Sequence, residues 1–336
     1  MGKNKKKILI TGAAGFIGFH ASKKFLDKKF EILGLDNLNK YYDKKLKIDR
    51  LKILKKNQKF KFIKLDIANF NNLKRVFDKF KPKYVIHLAA QAGVRYSLKK
   101  PLVYTKSNLV GFSNVLECSR LSNIEHLIFS SSSSVYGDSK KFPLSENQNL
   151  CKPLSFYAAT KLSNELMAYS YSNIYKLPAT ALRLFTVYGP WGRPDMSLFL
   201  FTSAIKRNKE IKLFNKGNMK RDFTYIDDIV SAVVKLIKKV PKLKNKSNKF
   251  NNAPFRVLNI GNNNPVELKK YIKYIESSLG KSAKKIQLPM QKGEVKKTHA
   301  SLRNISKLIK YKPKTNIKTG IRKFVDWHNN YLKNDR

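Results

Sequence analysis

Residues Ile8–Gly18 read ILITGAAGFIG, and the fold turns on this stretch. Ile8 to Thr11 is a short apolar run closing on a threonine, the pattern of a strand buried on both faces. Gly12, Gly15 and Gly18 follow at a spacing of three. After a strand and before a helix, the first glycine permits a tight turn, the second lets the backbone approach a pyrophosphate, and the third packs helix on strand. A helix predicted from Phe19 to Lys28 adds free N–H groups and the positive end of its dipole. A glycine loop alone is weak evidence, and the strand before it and helix after it give it meaning.

The next predicted strand, Glu31–Leu35, ends in Asp36. An acid about 20 residues past such a loop accepts hydrogen bonds from the adenosine ribose hydroxyls. It would repel a 2′-phosphate, so NAD is expected rather than NADP. The plainer alternative is a solvated acid at a strand end. Asn39–Lys59 is a basic insertion with an Ile/Leu stripe, predicted as a helix. Strands are expected at Phe60–Leu65, leading into Asp66 and Ile67 near the adenine edge, and at Tyr84–Leu88. Between them lies a helix from Asn69 to Phe80, capped by Asn69. In HLAAQAGVRYS the small Ala89 and Ala90 let the chain pass close to a cofactor, and Arg95 lies just beyond. The candidate cofactor contacts here are Gly12, Gly15, Phe16, Ile17, Gly18, Asp36, Asn37, Asp66, Ile67, Leu88, Ala89 and Ala90.

The second decisive stretch is Ser130–Lys161. It holds SSSSSVYG, a polar loop, then FYAATK. Tyr157 and Lys161 are four apart, which on a helix puts both on one face. An ammonium beside a phenol favours the phenolate, and such a tyrosine can take a proton from a sugar hydroxyl. The serines end an apolar strand from His126, so their hydroxyls can converge on the phenol. Tyr-x-x-x-Lys is common by itself; the serine-tipped strand and the nucleotide loop give it weight.

Further along, a helix is predicted at Pro101–Ser122, a strand at Pro178–Phe185, and a shaped loop at TVYGPWGRPDM. A helix follows at Ser197–Arg207 and a strand at Ile211–Phe214. NKGNMKRDFTYIDD is expected to be a loop. Ile229–Lys239 is read as a helix and Lys242–Pro254 as a lysine-rich excursion. The remaining elements are a strand at Val257–Ile260, a helix at Val266–Leu279 and a last helix near Gly320–Leu332. Strands alternating with helices mean an α/β, doubly wound parallel sheet. Its ligands belong at the carboxyl ends of the strands, where the glycines, Asp36, His87 and the serines fall. The expected division is a nucleotide-binding domain of residues 1–187 and 225–264, and a smaller substrate domain of residues 188–224 and 265–336.

Composition narrows the function further. The chain has 336 residues and a net charge of +48, which invites a nucleic-acid reading. Yet 12 of its 70 basic residues are arginine and 58 are lysine, spread along nearly every segment. Arginine dominates bidentate reading of bases and phosphates. No finger, RNP or basic-zipper motif occurs, so no specific nucleic acid is expected, only adhesion to polyanions at low salt. Two cysteines, Cys118 and Cys151, form no CxxC, which argues against a disulfide framework or structural zinc and fits a reducing cytoplasm. No apolar run approaches the ~20 residues that cross a bilayer, so no membrane partner is expected.

TGAAGFIG, Asp66-Ile67, HLAA, SSSSVYG, Tyr-x-x-x-Lys and RLFTVYGPWGRP together resemble the extended short-chain dehydrogenase/reductases, the nucleotide-sugar epimerases and dehydratases, over nearly the whole chain. AAQAGVRYS, RLFTVYGPWGRPDM, FNKGNMKRDFTYIDDI and GEVKKTHASLRNI narrow the resemblance to the branch that interconverts UDP-glucuronate and UDP-galacturonate. It implies a Rossmann domain and bound NAD. It makes Ser132 the catalytic hydroxyl, Tyr157 the base and Lys161 its partner, which also holds the nicotinamide ribose. Tyr157 would take the 4-OH proton while NAD takes the C4 hydride; the 4-keto sugar turns, and the hydride returns on its other face. The 4-keto form of a uronate is a β-keto acid that loses CO2 readily, so its carboxylate must be held. Ser132, Ser133, Ser134 and Thr186 offer hydroxyls for this, and Arg193 a cation. Arg221, Gln291 and Glu294 would meet the uridine diphosphate, although the family pattern has Asp where Glu294 stands. Arg95 would meet the phosphates or the carboxylate. The resembling dehydratases carry Asp-Glu directly after the catalytic hydroxyl, and the decarboxylating relatives a Glu just before Val-Tyr-Gly. This chain has Ser133 and Ser134 there. The resemblance also implies a homodimer built from the Pro101–Ser122 and Tyr157–Tyr175 helices. The alternative within the class is a UDP-hexose 4-epimerase acting on neutral sugars. Outside it, the alternative is a noncatalytic polyanion-binding relative.

Overall fold

A computed structural model describes residues 6–150, 152–243 and 253–333 of the chain. They form two compact units, one of residues 6–137, 149–150, 152–183, 230–243 and 253–258, the other of residues 138–148, 184–229 and 259–333.

The first unit carries β1 (Lys7–Thr11), β2 (Glu31–Asp36), β3 (Phe60–Lys64), β4 (Tyr84–His87), β5 (His126–Ser132) and β6 (Ala179–Leu184). Its helices are α1 (Phe16–Asp27), α2 (Lys44–Lys55), α3 (Phe70–Phe80), α4 (Val94–Lys99), α5 (Pro101–Tyr104), α6 (Gly111–Leu121) and α7 (Phe156–Tyr175). In the second unit β7 (Thr186–Tyr188), β8 (Ile211–Phe214) and β9 (Lys220–Tyr225) are joined by α8 (Ser197–Lys206); α9 (Ile226–Leu236) starts there and continues as part of the first unit. β10 (Phe255–Ile260) lies mostly in the first unit, and the second unit continues with β11 (Pro265–Glu267), α10 (Leu268–Leu279), β12 (Lys285–Leu288), α11 (Arg303–Ile309) and α12 (Ile317–Lys333).

The central sheet has seven strands in the order β10-β6-β5-β4-β1-β2-β3. The order reverses at β1, so the crevice beside β1 and β4 is the switch point where such sheets bind ligands. Thr11 is in register with Leu35 on one side and His87 on the other, which sets the carboxyl ends of three strands level. Leu9, Val85, Leu127 and Phe129 pack with Phe77 of α3 and Phe112 and Leu116 of α6. A fully buried phenylalanine contributes about 1.5–3 kcal/mol, so this layer fixes the frame on which the loops stand. Thr186–Tyr188 pairs in parallel with Phe223–Tyr225, and β11 pairs antiparallel with β9.

The doubly wound parallel sheet is the expected one. Four local expectations are corrected. The first helix starts at Phe16 rather than Phe19, because Gly15 is its N-cap and its carbonyl already accepts the Phe19 N–H at 2.9 Å. Pro101–Ser122 is not one α-helix: a π-helical turn spans Thr105–Val110, and a short helix, α4, precedes it. NKGNMKRDFTYIDD contains β9, a strand held by partners on both sides that its Asn, Lys and Gly content disguised. Val266 begins no helix, since β11 occupies Pro265–Glu267. The Lys242–Pro254 excursion falls largely outside the described residues.

Candidate active site

In the first unit the glycine loop closes against the turn after β4. Gly12 has φ of +72°, and a Cβ there would meet the Ala89 nitrogen at 2.7 Å; a Cβ on Gly18 would meet the Gly12 carbonyl oxygen at 2.0 Å. Only glycine permits this packing. Thr11 Oγ1 accepts the Leu88 and Ala89 N–H groups, both at 3.2 Å, and lies 2.8 Å from His87 Nδ1. The Leu88 N–H also reaches the Thr11 carbonyl, at 3.1 Å, so threonine and turn are held together at both of the residue's oxygens. Burial, with the Lys161 charge nearby, pulls the His87 pKa down to about 3.

Asp36 ends β2. One carboxylate oxygen accepts the Ala14 N–H at 3.2 Å and the other the Leu38 N–H at 2.9 Å. Burial raises its pKa while Lys47, those backbone donors and Arg50 pull it back. A carboxylate has about four acceptor sites, so two remain for ribose hydroxyls. The start of α1 at Phe16, a Cβ-free cradle and an acceptor at the end of β2 together fit a dinucleotide. Asn37 caps its own turn at the Asn39 N–H, 3.1 Å. Asp66 accepts the Ala68 N–H at 3.0 Å and lies 3.9 Å from Lys106 Nζ. The Ile67 carbonyl accepts Asn114 Nδ2 at 2.9 Å. Phe16 and Ile17 open α1, and Ala89 and Ala90 are half-buried beyond β4. Arg95 is exposed on α4.

Tyr157 and Lys161 both fall on α7, one turn apart. The helix starts cleanly because Ser155 Oγ accepts the Ala158 N–H at 3.1 Å. Lys161 is 2% exposed and donates to the Ser130 carbonyl at 2.7 Å and its hydroxyl at 3.4 Å. Burial lowers its pKa to about 8, against an upward pull from Glu165. Tyr157 is half-buried, and its ring meets Tyr104 edge-on at 6.1 Å. Ser132 is the last residue of β5; its oxygen accepts the Ser134 N–H, and its hydroxyl donates to Ser134 Oγ, both at 3.1 Å. The structure thus brings the serine strand onto the Tyr-Lys helix.

In the second unit Thr186 opens β7 and pairs with Phe223. The Arg193 guanidinium forks onto Asp195 at 2.9 and 2.5 Å, so any anion it meets shares it with that acid. Arg221 donates to the Lys220 and Lys296 carbonyls at 3.1 and 3.2 Å and lies 4.0 Å from Glu294. Arg221 and Glu294 are therefore together, and the Gln291 carbonyl accepts the Glu294 N–H at 3.4 Å. The Gln291 side-chain oxygen is buried without a hydrogen-bond partner among the described residues.

Sequence reasoning missed several buried supports. Glu165 takes Arg183 in a bidentate pair and also accepts Ser131 Oγ. Asn108, in the π-helical turn, holds both the N–H and the carbonyl of Gln91 and donates to Thr160. Asp222 accepts three backbone N–H groups, from Asn262, Asn263 and Ala300. Glu165 repeats the four-residue step of Tyr157 and Lys161, a signal in plain sight; the others leave none.

Comparisons with known proteins agree with this geometry. Residues 8–261 match the family model described as NAD dependent epimerase/dehydratase family. Protein CapI of Staphylococcus aureus is 51% identical over 97% of this chain and 99% of its own length. A probable UDP-glucuronate 4-epimerase of Rhizobium meliloti is 43% identical over 97% of this chain and 98% of its own. The crystal structure of UDP-glucuronic acid 4-epimerase from Bacillus cereus, in complex with UDP-glucuronic acid and NAD, superposes with a TM-score of 0.88. It is 33% identical, covering 97% of this chain and 99% of that one. With a glycine cradle, an acceptor at the end of β2 and a serine strand against a Tyr-Lys helix, the chain belongs to the NAD dependent epimerase/dehydratase family.

Proposed function

We propose that the protein is an NAD-dependent epimerase that inverts C4 of UDP-glucuronate to give UDP-galacturonate. The observation that carries this is the junction of β5 and α7: a buried Lys161 anchored on Ser130, with Tyr157 one turn away and Ser132 at the strand end. The relatives named as UDP-glucuronate 4-epimerases support the substrate, and neutral-sugar specificity is not favoured.

NAD, when bound in the glycine cradle, supplies the acceptor and then the donor of the C4 hydride. Gly12, Gly15, Phe16, Ile17, Gly18, Asp36 and Asn37 would hold its phosphates and ribose. Asp66 and Ile67 would meet the adenine, and Leu88 to Ala90 with Lys161 the nicotinamide side. Tyr157 takes the proton from the sugar's 4-OH and later returns it. Lys161, cationic below about pH 8, favours the phenolate that does so. Ser132 orients the reacting oxygen. Ser133, Ser134, Thr186 and Arg193 hold the carboxylate and disfavour its loss as CO2. Arg95, Arg221, Gln291 and Glu294 serve the diphosphate and ribose. Residues 1–187 and 225–264 serve the nucleotide cofactor, and 188–224 and 265–336 the substrate.

The protein works in the cytoplasm, as a homodimer, in polysaccharide biosynthesis. The dimer is supported by apolar side chains on α5, α6 and α7, with Leu102 79%, Leu166 64% and Ile174 62% exposed. Among the described residues no helix is long and apolar enough to cross a membrane.

The test is incubation of purified protein with UDP-glucuronate and no added NAD, with separation of the nucleotide sugars. A steady mixture containing UDP-galacturonate is expected. A UDP-pentose with CO2, or turnover of UDP-galactose alone, would overturn the assignment.

A further inference from the structure

The basic insertion of α2 and the turn before it has no part in the reaction above, yet the structure wires it to the glycine loop. Arg50 is fully buried and donates from Nη1 to the Ala14 carbonyl at 2.8 Å and to the Tyr42 hydroxyl at 3.0 Å. The N–H of the same Ala14 is held by Asp36. Two charged side chains, from α2 and β2, thus fix both polar backbone atoms of one residue inside the loop. Lys47, also buried, donates to the carbonyl and side chain of Asn39 at 3.0 and 2.9 Å and lies over the Tyr42 ring at 4.7 Å. Tyr41, next along, packs on Tyr96 of α4 with ring centres 4.8 Å apart. β2 and β4 flank β1, so the insertion ties together the loops on either side of the glycine cradle.

A buried guanidinium is costly unless it is well paired, and an apolar residue would fill the same volume more simply. Its position is explained by what it holds. The conformation of Ala14 sets the direction of the N–H groups that follow it, and these are the phosphate ligands of such a loop. Lys47 and Arg50 also oppose the upward effect of burial on the Asp36 pKa. A redox-neutral epimerisation has no step that requires the cofactor to leave.

We propose that Arg50, supported by Lys47, is a positioning residue for the dinucleotide, fixing the glycine loop through the Ala14 carbonyl so that NAD stays bound from one turnover to the next. This rests on the NAD reading given above. The test measures the NAD carried through gel filtration and the NAD Kd of stripped protein. Wild type is compared with Arg50→Met, Arg50→Lys, Lys47→Met and Tyr42→Phe, alongside the affinity for UDP and the thermal midpoint of the stripped forms. Arg50→Met should weaken NAD by roughly tenfold, the worth of one charge-assisted hydrogen bond, and emerge largely free of cofactor. Arg50→Lys should recover part of the loss, and UDP affinity should not move. If Arg50→Met does not fold, Arg50→Lys and Tyr42→Phe carry the test, each with a several-fold loss of NAD affinity. Variants that melt earlier but bind NAD within twofold of wild type would show a merely structural arginine and overturn the proposal. A wild type that binds no NAD at all would instead overturn the cofactor reading itself.

Discussion

Replacing Glu165 by glutamine should destabilise the first unit by about 3–5 kcal/mol, the cost of breaking a buried ion pair by removing one partner. Both carboxylate oxygens are engaged. Arg183 Nε reaches Oε1 at 2.9 Å, Arg183 Nη2 reaches Oε2 at 2.7 Å, and Ser131 Oγ donates to Oε1 at 2.5 Å. The two side chains are 4% and 6% exposed, so water cannot replace what the amide fails to supply. Arg183 would be left with the Tyr136 hydroxyl at 3.1 Å and its ring at 4.9 Å. A domain of this size loses about 2–4 °C per kcal/mol, which puts the fall in thermal midpoint at roughly 6–20 °C. Since most of the penalty is a stranded cation, adding Arg183→Met to Glu165→Gln should recover at least half of it. Thermal and urea unfolding of wild type, both single variants and the double variant measure the coupling. A single variant within about 1 kcal/mol of wild type, or a double variant equal to the sum of the singles, would refute the reasoning, because a desolvated pair can give neither.

Three further predictions follow from other parts of the structure. Gly320→Ala sets a Cβ 2.3 Å from the Tyr188 hydroxyl oxygen and 2.8 Å from its ring; although alanine is favoured over glycine in a helix by about 1 kcal/mol, overpacking of about 1–3 kcal/mol wins, and a raised melting temperature would contradict this. His87, His126 and His328 are buried with pKa values lowered by burial to about 3, 4 and 4. The unfolded chain therefore binds more protons, and stability should fall as pH drops below about 6.5, by about 1.4 kcal/mol per unit for each histidine. Asp36 and Asp222, raised by burial, work the other way at lower pH. Urea midpoints that stay flat from pH 7 to pH 5 would exclude the effect. Turnover should decline as pH rises through about 8, where Lys161 loses its charge, and Glu165→Gln should move that limb lower; rates that hold level to pH 9.5 would rule out a cationic requirement.

The parts of the fold legible in the sequence are those written locally. The strand–glycine–helix start needs only a dozen consecutive residues, and Tyr157 and Lys161 need only the helical repeat. Asn69 was readable as a cap because capping is settled within three residues, and its side chain does accept the Asn72 N–H at 3.0 Å. What stayed hidden are choices made between distant segments. Arg50 finds Ala14 36 positions back, and Glu165 finds Arg183 only because β5, α7 and β6 are layered together. Asp222 looks like one more charge in a basic loop until three backbone N–H groups converge on it. β9 was misread for the same reason: its partners, not its composition, make it a strand. Most of the candidate site was therefore visible as residue types, while the supports that hold those residues were not.

The electrostatics around Lys161 show why those supports matter to the proposed chemistry. The ammonium is buried among groups that do little to offset it. His87 is neutral, with the Thr11 hydroxyl on its Nδ1. Glu165, the acid one turn along, is shared with Arg183, so its pull on Lys161 is partial. The Ser130 carbonyl and hydroxyl satisfy hydrogen bonds but carry no net charge. A cation in this position is stabilised by any negative charge that forms beside it, and Tyr157 and Glu165 stand one turn to either side of it on the same helix face. Burial brings Lys161 down to about 8, and in the proposed chemistry a negative charge on the sugar's proton acceptor would offset that cost. A fully paired lysine here would keep its charge to higher pH. Arg183, by holding both oxygens of Glu165, limits what that acid offers to Lys161.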